Sequence, residues 1–370
     1  MVFRRYSAWT ALLCVGLLAG NAAAQTQPAA SPPAAAPTPP LPPGKAAAAP
    51  FPDPQTPEEF FARARALSDL EASGIPFHLK ATYVASGDTE FTGNGTYEEW
   101  WQSKDLWRKE ATLGNFKYLA IMNHGDEKDY GSSSYIPLRL RQAVEFSLML
   151  SPNFTDESGS WKLEHQTLNG IDLTVLSRQY QCPAATSYVQ CETKEFFTAE
   201  GLLRARTNNT IEALYNGFQS FHSLLIPRSI KVASPADTLL TISIQSLDAL
   251  DANEPQLSKD APVPRSMHPL AIPVGTKPGP NIRPSKLIHQ VAPNYPPDLK
   301  LARVQGTAVV EASIDADGNV REPYLSASTG TQLDDAAIDA IRQWKYEPLR
   351  IDGVPYTVET TITVVFTLNR

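Results

Sequence analysis

Gly306-Thr-Ala-Val-Val-Glu-Ala-Ser-Ile-Asp315, followed by Ala316-Asp317-Gly318, is the stretch on which the reading of this chain turns. Ala308, Val310, Ala312 and Ile314 alternate with Thr307, Val309, Glu311 and Ser313. A period of two with one apolar and one mixed face predicts a strand with one side in a core. Asp317-Gly318 tolerates the positive φ angles of a tight turn, so a second strand is expected from Asn319 to about Ser328.

Downstream, Leu333, Ala336, Ala337, Ala340, Ile341 and Trp344 fall on one stripe of an α-helix. Thr331 is placed to cap it, and Asp334 and Asp335 sit at the positive end of its dipole. Arg342 and Lys345 sit at the negative end, and Pro348 is expected to stop it. After a turn at Asp352-Gly353 the last strand sets Val358, Thr360, Ile362, Val364, Phe366 and Leu368 on one face. Thr357, Glu359, Thr361, Thr363 and Thr367 lie on the other. The expected unit is β-β-α-β, a three-stranded antiparallel sheet with one face under a helix and two uncovered edges.

With these residues in view, the chain resembles the C-terminal domain of TonB-like proteins. The resemblance covers about Gln290 to Leu368 and rests on several ordered blocks. They are Ala292-Pro-Asn-Tyr-Pro296, Ala302-Arg-Val-Gln-Gly306, Ile314-Asp-Ala-Asp-Gly318, Ser326 to Gly330, Leu333-Asp-Asp-Ala-Ala337, Trp344-Lys-Tyr-Glu-Pro348 and Asp352-Gly-Val-Pro355. The resemblance implies a periplasmic binding module that captures an extended segment of an outer-membrane transporter by adding it to the sheet as a strand. Carried onto this chain, the partner-binding residues are Glu359, Thr361, Thr363, Val365 and Thr367, helped by Pro293, Asn294, Tyr295 and Pro296. The family pattern often reads Gln-Pro-x-Tyr-Pro where this chain has Ala292-Pro-Asn-Tyr-Pro296, so an amide that could read a partner's backbone is missing. Tyr295, Trp344 and Tyr346 suit core packing at least as well as contact, because aromatics supply much of a small domain's buried area. Asp315-Ala-Asp317-Gly318 reads as a hairpin turn, since the further oxygen ligands and distal Glu of a calcium loop are absent.

At the other end, Arg4-Arg5, an apolar run from Ala8 to Gly20, and Ala22 to Ala24 before Gln25 follow the order of a secretory signal. The run is short against the roughly 20 residues of a spanning helix. Residues 1–24 are read as a cleaved signal peptide and the location as the periplasm, with an uncleaved inner-membrane anchor as the alternative. Cleavage removes Arg4 and Arg5 from a chain of net charge −7, leaving −9. Such a balance argues against nucleic acid and anionic membrane surfaces as partners. Cys182 and Cys191 then remain; they flank a short loop and are expected to form a disulfide in an oxidising compartment.

Prolines concentrate in two stretches, read as linkers at 25–57 and 251–284. Between them, 58–250 reads as a β-rich domain. It opens with a helix bearing Phe60, Phe61, Ala64, Leu67 and Leu70, with Thr56 as cap and Pro57 in the first turn. Strand-like runs follow, with a second helix at Leu138 to Leu150 and an acidic turn at Asp126, Glu127 and Asp129. By pattern alone this domain resembles the half-barrel of LolA-type periplasmic lipoprotein carriers. The fold class is therefore α+β, a central β-rich domain plus a TonB-like domain at 285–370.

His78, His124, His165, His222, His268 and His289 give no close pair for a metal, and no nucleophile elbow, phosphate loop or zinc-hydrolase helix is present. The reading is a non-enzyme without metal or cofactor. Its first function is a TonB-family binding protein for an outer-membrane transporter or other envelope protein. A lipid or lipoprotein carrier with the module as docking handle is the second, and an energy transducer is the third. Trp9 to Gly20 argues against the transducer, because beyond Thr10 and Cys14 it lacks the polar or ionisable residue such anchors usually carry.

Overall fold

The computed structural model describes residues 53–368 apart from 88, 134, 149–160, 169–170, 182–189, 209–210, 235–236, 252, 259–260, 271–281 and 329–332. The signal segment, the first Pro-rich arm up to residue 52, Cys182 and the Thr331 cap lie outside the described residues. The chain is β-rich with few helices, an α+β architecture.

The first helix, Pro57–Ser68, begins as its sequence dictates. Thr56 Oγ1 accepts from the Glu59 N–H at 3.3 Å, and the Glu59 carboxylate accepts from the Thr56 N–H at 3.1 Å. A 13-stranded antiparallel sheet follows. From one edge its order is His268–Pro269, Asp126–Gly131, Phe116–Asn123, Leu106–Leu113, Gly93–Ser103, Phe77–Ala85 and Thr238–Ala249. It continues with Ser229–Ala233, Glu212–Asn216, Leu203–Thr207, Gln190–Phe197, Ile171–Gln181 and Lys162–Leu168. Most connections join sequence neighbours, as an antiparallel meander allows. Exceptions include His268–Pro269 against Asp126–Gly131 and Phe77–Ala85 against Thr238–Ala249, the latter bringing the beginning and end of the domain together.

One sheet face carries Phe77, Leu79, Ala81, Tyr83, Ile230, Val232 and Ile242, all almost fully buried. The helix Leu138–Leu148 lies across the strands near Phe77–Ala85, and Pro57–Ser68 packs on the hairpin strand Leu224–Ile226. Charge is buried too. Lys109 Nζ stands 3.2 Å from Glu99 Oε1 and 4.4 Å from the Trp107 ring centroid, while Tyr97 donates to Glu99 at 2.8 Å. Burial pushes the Glu99 carboxyl up despite its lysine.

Two expectations are corrected. Asp126, Glu127 and Asp129 belong not to a turn but to the strand Asp126–Gly131, paired with Phe116–Asn123, with Asp126 and Glu127 exposed and Asp129 half-buried. Asp129 accepts from Tyr118 Oη at 2.7 Å, and burial raises its pKa. The C-terminal helix does not run on to Pro348. It ends at Ile341, because Tyr346 N–H is claimed by Gly318 O at 2.9 Å and Lys345–Glu347 pairs as a strand with Lys286–His289.

The Pro-rich stretch after residue 251 is partly built into the fold. Pro255–Leu257 is a 3-10 turn, Pro262 O lies 3.3 Å from Arg108 Nη2, and His268–Pro269 adds to the sheet edge.

The C-terminal sheet has the order Val320–Ser328, Gly306–Ile314, Val358–Phe366, all antiparallel. Ala308, Val310, Ala312, Ile362, Val364 and Phe366 are buried together with Leu333, Ala337 and Ile341 of the helix Leu333–Ile341, and with Trp344. Its second face is also covered on one side. Val309 and Ala327 pack with Cys191 and half-buried Tyr180 of the central domain, and Thr307 and Ser313 are buried beside them.

Candidate partner-docking edge

The terminal strand Val358–Phe366 pairs over its whole length with Gly306–Ile314 and, among the described residues, with no strand on its other side. An edge of this kind presents N–H and C=O groups that an incoming strand can use with little demand on its sequence. Glu359, Thr361 and Val365 are exposed and Thr363 is half-buried; Thr367, just beyond, is exposed.

The second group of sequence-predicted residues lies against this strand. Tyr295 packs edge-on against Phe366, ring centroids 5.5 Å apart, and its hydroxyl donates to Val304 O. Pro293 and Pro296 are half-buried and Asn294 is exposed. Trp344 Nε1 donates to Val291 O at 2.8 Å, which fixes the incoming segment from its other side. Tyr295 and Trp344 thus hold the segment to the module core, the structural role their size suggested.

Cys191 is fully buried at the start of Gln190–Phe197. Its expected partner lies outside the described residues.

Sequence reasoning missed the residues that join this edge to the central domain. Arg141, on the helix Leu138–Leu148, pairs through Nη1 with Glu359 Oε1 on the terminal strand. Burial raises the Glu359 carboxyl, and Arg141 opposes that rise. Glu322, on Val320–Ser328, accepts from Thr89 Oγ1 at 2.6 Å and from the Leu138 N–H at the first turn of that same helix. A carboxylate from a strand far along the chain therefore caps a helix of the central domain. Glu322 takes φ +42° at an irregular register, a cost of about 1 kcal/mol for a non-glycine residue. Arg321 adds a pair to Glu90 at 3.4 Å, and its guanidinium lies 5.5 Å from the Tyr135 ring centroid. These partners are more than 200 residues apart for Arg141–Glu359 and Thr89–Glu322, a separation at which local pattern carries no signal.

Among the described residues no group of three His, Cys, Asp or Glu is arranged to hold a metal, and no helix is long and apolar enough to cross a membrane.

Residues 291–368 match the family model described as Gram-negative bacterial TonB protein C-terminal. Protein TonB of Vibrio cholerae is 38% identical over 88 residues, covering 24% of this chain and 36% of that protein. Protein TonB of Xanthomonas campestris pv. campestris is 36% identical over 78 residues, 21% of this chain and 35% of that protein. The chain thus spans about a third of the length of these relatives. Among solved structures, a LolA superfamily protein from Nitrosomonas europaea aligns with 56% of this chain and 99% of its own, at 11% identity and a TM-score of 0.38. The solution structure of the Pseudomonas aeruginosa TonB C-terminal domain aligns with 25% of this chain and 92% of its own, at 20% identity and a TM-score of 0.21. The C-terminal module of this chain carries a TonB C-terminal domain, and the family match leaves the β-rich domain before it unassigned.

Proposed function

We propose that the protein works in the periplasm as a binding protein, not an enzyme. Its terminal strand Val358–Phe366 would pair by strand addition with an extended segment of an outer-membrane transporter or another envelope protein. The observation that carries this reading is the edge itself: nine residues paired on one side, with Thr361 and Val365 exposed. The residues that would meet the partner are Glu359, Thr361, Thr363, Val365 and Thr367, with Pro293, Asn294, Tyr295 and Pro296 beside the strand's end. Export by a cleaved signal peptide and a Cys182–Cys191 disulfide belong to the same reading.

The test is titration of synthetic extended peptides into the full chain, followed by backbone amide shifts. Strand addition moves the amides of residues 358–367 and is lost in Thr363→Pro, whose fold is checked by circular dichroism. Peptide capture with shifts confined to the helix Leu333–Ile341 or to the central domain sinks the reading. Fatty acid copurifying with the chain, without peptide capture, would instead make the protein a carrier.

A further inference from the structure

We infer that the TonB-like module is held on the central domain by a proton-sensitive latch, docked at mildly acidic pH and released as pH rises. The inference is independent of strand addition, because its readout is the separation of the two domains.

The latch is a cluster of carboxylates, two on the module and one on the central domain, that docking completes. Glu311 and Glu359 stand on neighbouring strands of the module, one on Gly306–Ile314 and one on Val358–Phe366. Glu145 faces them from the helix Leu138–Leu148 and interacts electrostatically with both. Arg141, one turn earlier on that helix, ties Glu359 and also acts on Glu311 and Glu145.

The remaining charged neighbours do not balance the trio. Arg206, on Leu203–Thr207, faces Glu145, but its Nε stands 2.7 Å from Glu195 Oε1 on Gln190–Phe197, and both side chains are nearly buried. Tyr324 of the module donates to Glu311 at 2.5 Å, while Tyr118 and Tyr215 contribute only neutral hydroxyls, their pKa values raised by burial. Among the described residues, four carboxylates therefore meet two guanidiniums. With all of them ionised, the docked interface holds an excess of negative charge, least screened by water at half-buried Glu145 and Glu311 and more screened at exposed Glu359. Two routes relieve it: a proton taken up, or separation of the domains.

Burial pushes Glu145 up to about 7, with Glu311 adding to the rise. Glu311 and Glu359 are raised in the same way. The sign follows from linkage. A carboxyl whose docked pKa exceeds its undocked value makes the docked state bind more protons, so docking is fully favoured below the undocked pKa and weakens as pH rises through the docked one. The window runs from about pH 5, near ordinary carboxylates, to about pH 8, just above Glu145. For Glu145 alone the docking constant falls by up to about a hundredfold across it.

Small-angle scattering of the full chain at pH 5.5 and 8.5, in constant salt and with circular dichroism alongside, tests the latch. The expected result is a larger radius of gyration at pH 8.5 with unchanged secondary structure. Glu145→Gln, which carries the neutral form at every pH, should stay compact at both values. Arg141→Ala should shift the expansion to lower pH. The latch is overturned by a radius that does not change with pH, by expansion accompanied by loss of secondary structure, or by a Glu145→Gln chain that expands as the unmodified one does.

Discussion

Replacing Gly318 by alanine should destabilise the TonB-like module far more than the same change at Gly353, and the two sites make a matched pair. Both glycines have positive φ, +81° and +84°, so both variants carry the same backbone penalty, about 1–2 kcal/mol for an L-residue. Their surroundings differ. A Cβ on Gly353 meets nothing within 4 Å, whereas one on Gly318 would sit 1.9 Å from the backbone oxygen of Tyr346. Because that neighbour is main chain, no rotamer change makes room. The hairpin turn must move away from Lys345–Glu347, breaking the 2.9 Å hydrogen bond from Tyr346 N–H to Gly318 O and the bridge between Asn319 and Lys345. Losing that bond and desolvating its partners costs roughly 1–3 kcal/mol, so Gly318→Ala should exceed Gly353→Ala by about 2 kcal/mol. Urea unfolding of the full chain, followed by hydrogen exchange in peptides from 306–366, reads the module alone. Equal midpoints for the two variants would falsify the close approach of turn and strand.

Lys109→Met leaves Glu99 buried without its cation; a loss of about 3–5 kcal/mol in thermal or urea unfolding is expected, and a loss below about 1 would mean that Glu99 is already neutral. Burial raises Asp334 to about 6, so the folded module keeps a proton that the unfolded chain has released. Its stability is fullest below the ordinary carboxylate range and falls as pH rises through about 6; Asp334→Asn should flatten that dependence in unfolding measured from pH 4 to 8. Intact mass of the exported protein should place its first residue at Gln25, and a non-reduced digest should yield the 182 and 191 peptides as one species. Reducing that link should cost about 2–3 kcal/mol in unfolding.

Much of the module was readable because its signals are local. The apolar alternation from Ala308 to Ile314, the Asp317-Gly318 turn and the stripe from Leu333 to Ile341 each reappear in the structure. Elsewhere tertiary pairing overrode local pattern. Asp126–Gly131 carries four charged residues in succession, a poor strand by composition, yet it is paired along Phe116–Asn123 and takes His268–Pro269 on its other side. The helix was read one turn too long because Trp344 continues the stripe; the indole does join the module core, but from a turn. The mixed face of Thr307, Val309, Glu311 and Ser313 gave no sign of a second layer, since small polar residues fit a solvated face as well as a close domain contact. The terminal strand at the sheet's edge was legible from its alternation, while Arg141, Glu145 and Glu322, which set its surroundings, were not.

Pairing His268–Pro269 with Asp126–Gly131 has a consequence for encounter statistics. It shortens the tether between domains to the dozen residues before Ile282–Arg283, a reach of roughly 40 Å when fully extended. A module on so short a leash experiences its own docking surface at an effective concentration on the order of millimolar. A contact too weak to detect between separate molecules then stays mostly closed within one chain. Separation of the two domains must overcome that local excess, and a longer tether would lower the threshold without altering a single contact.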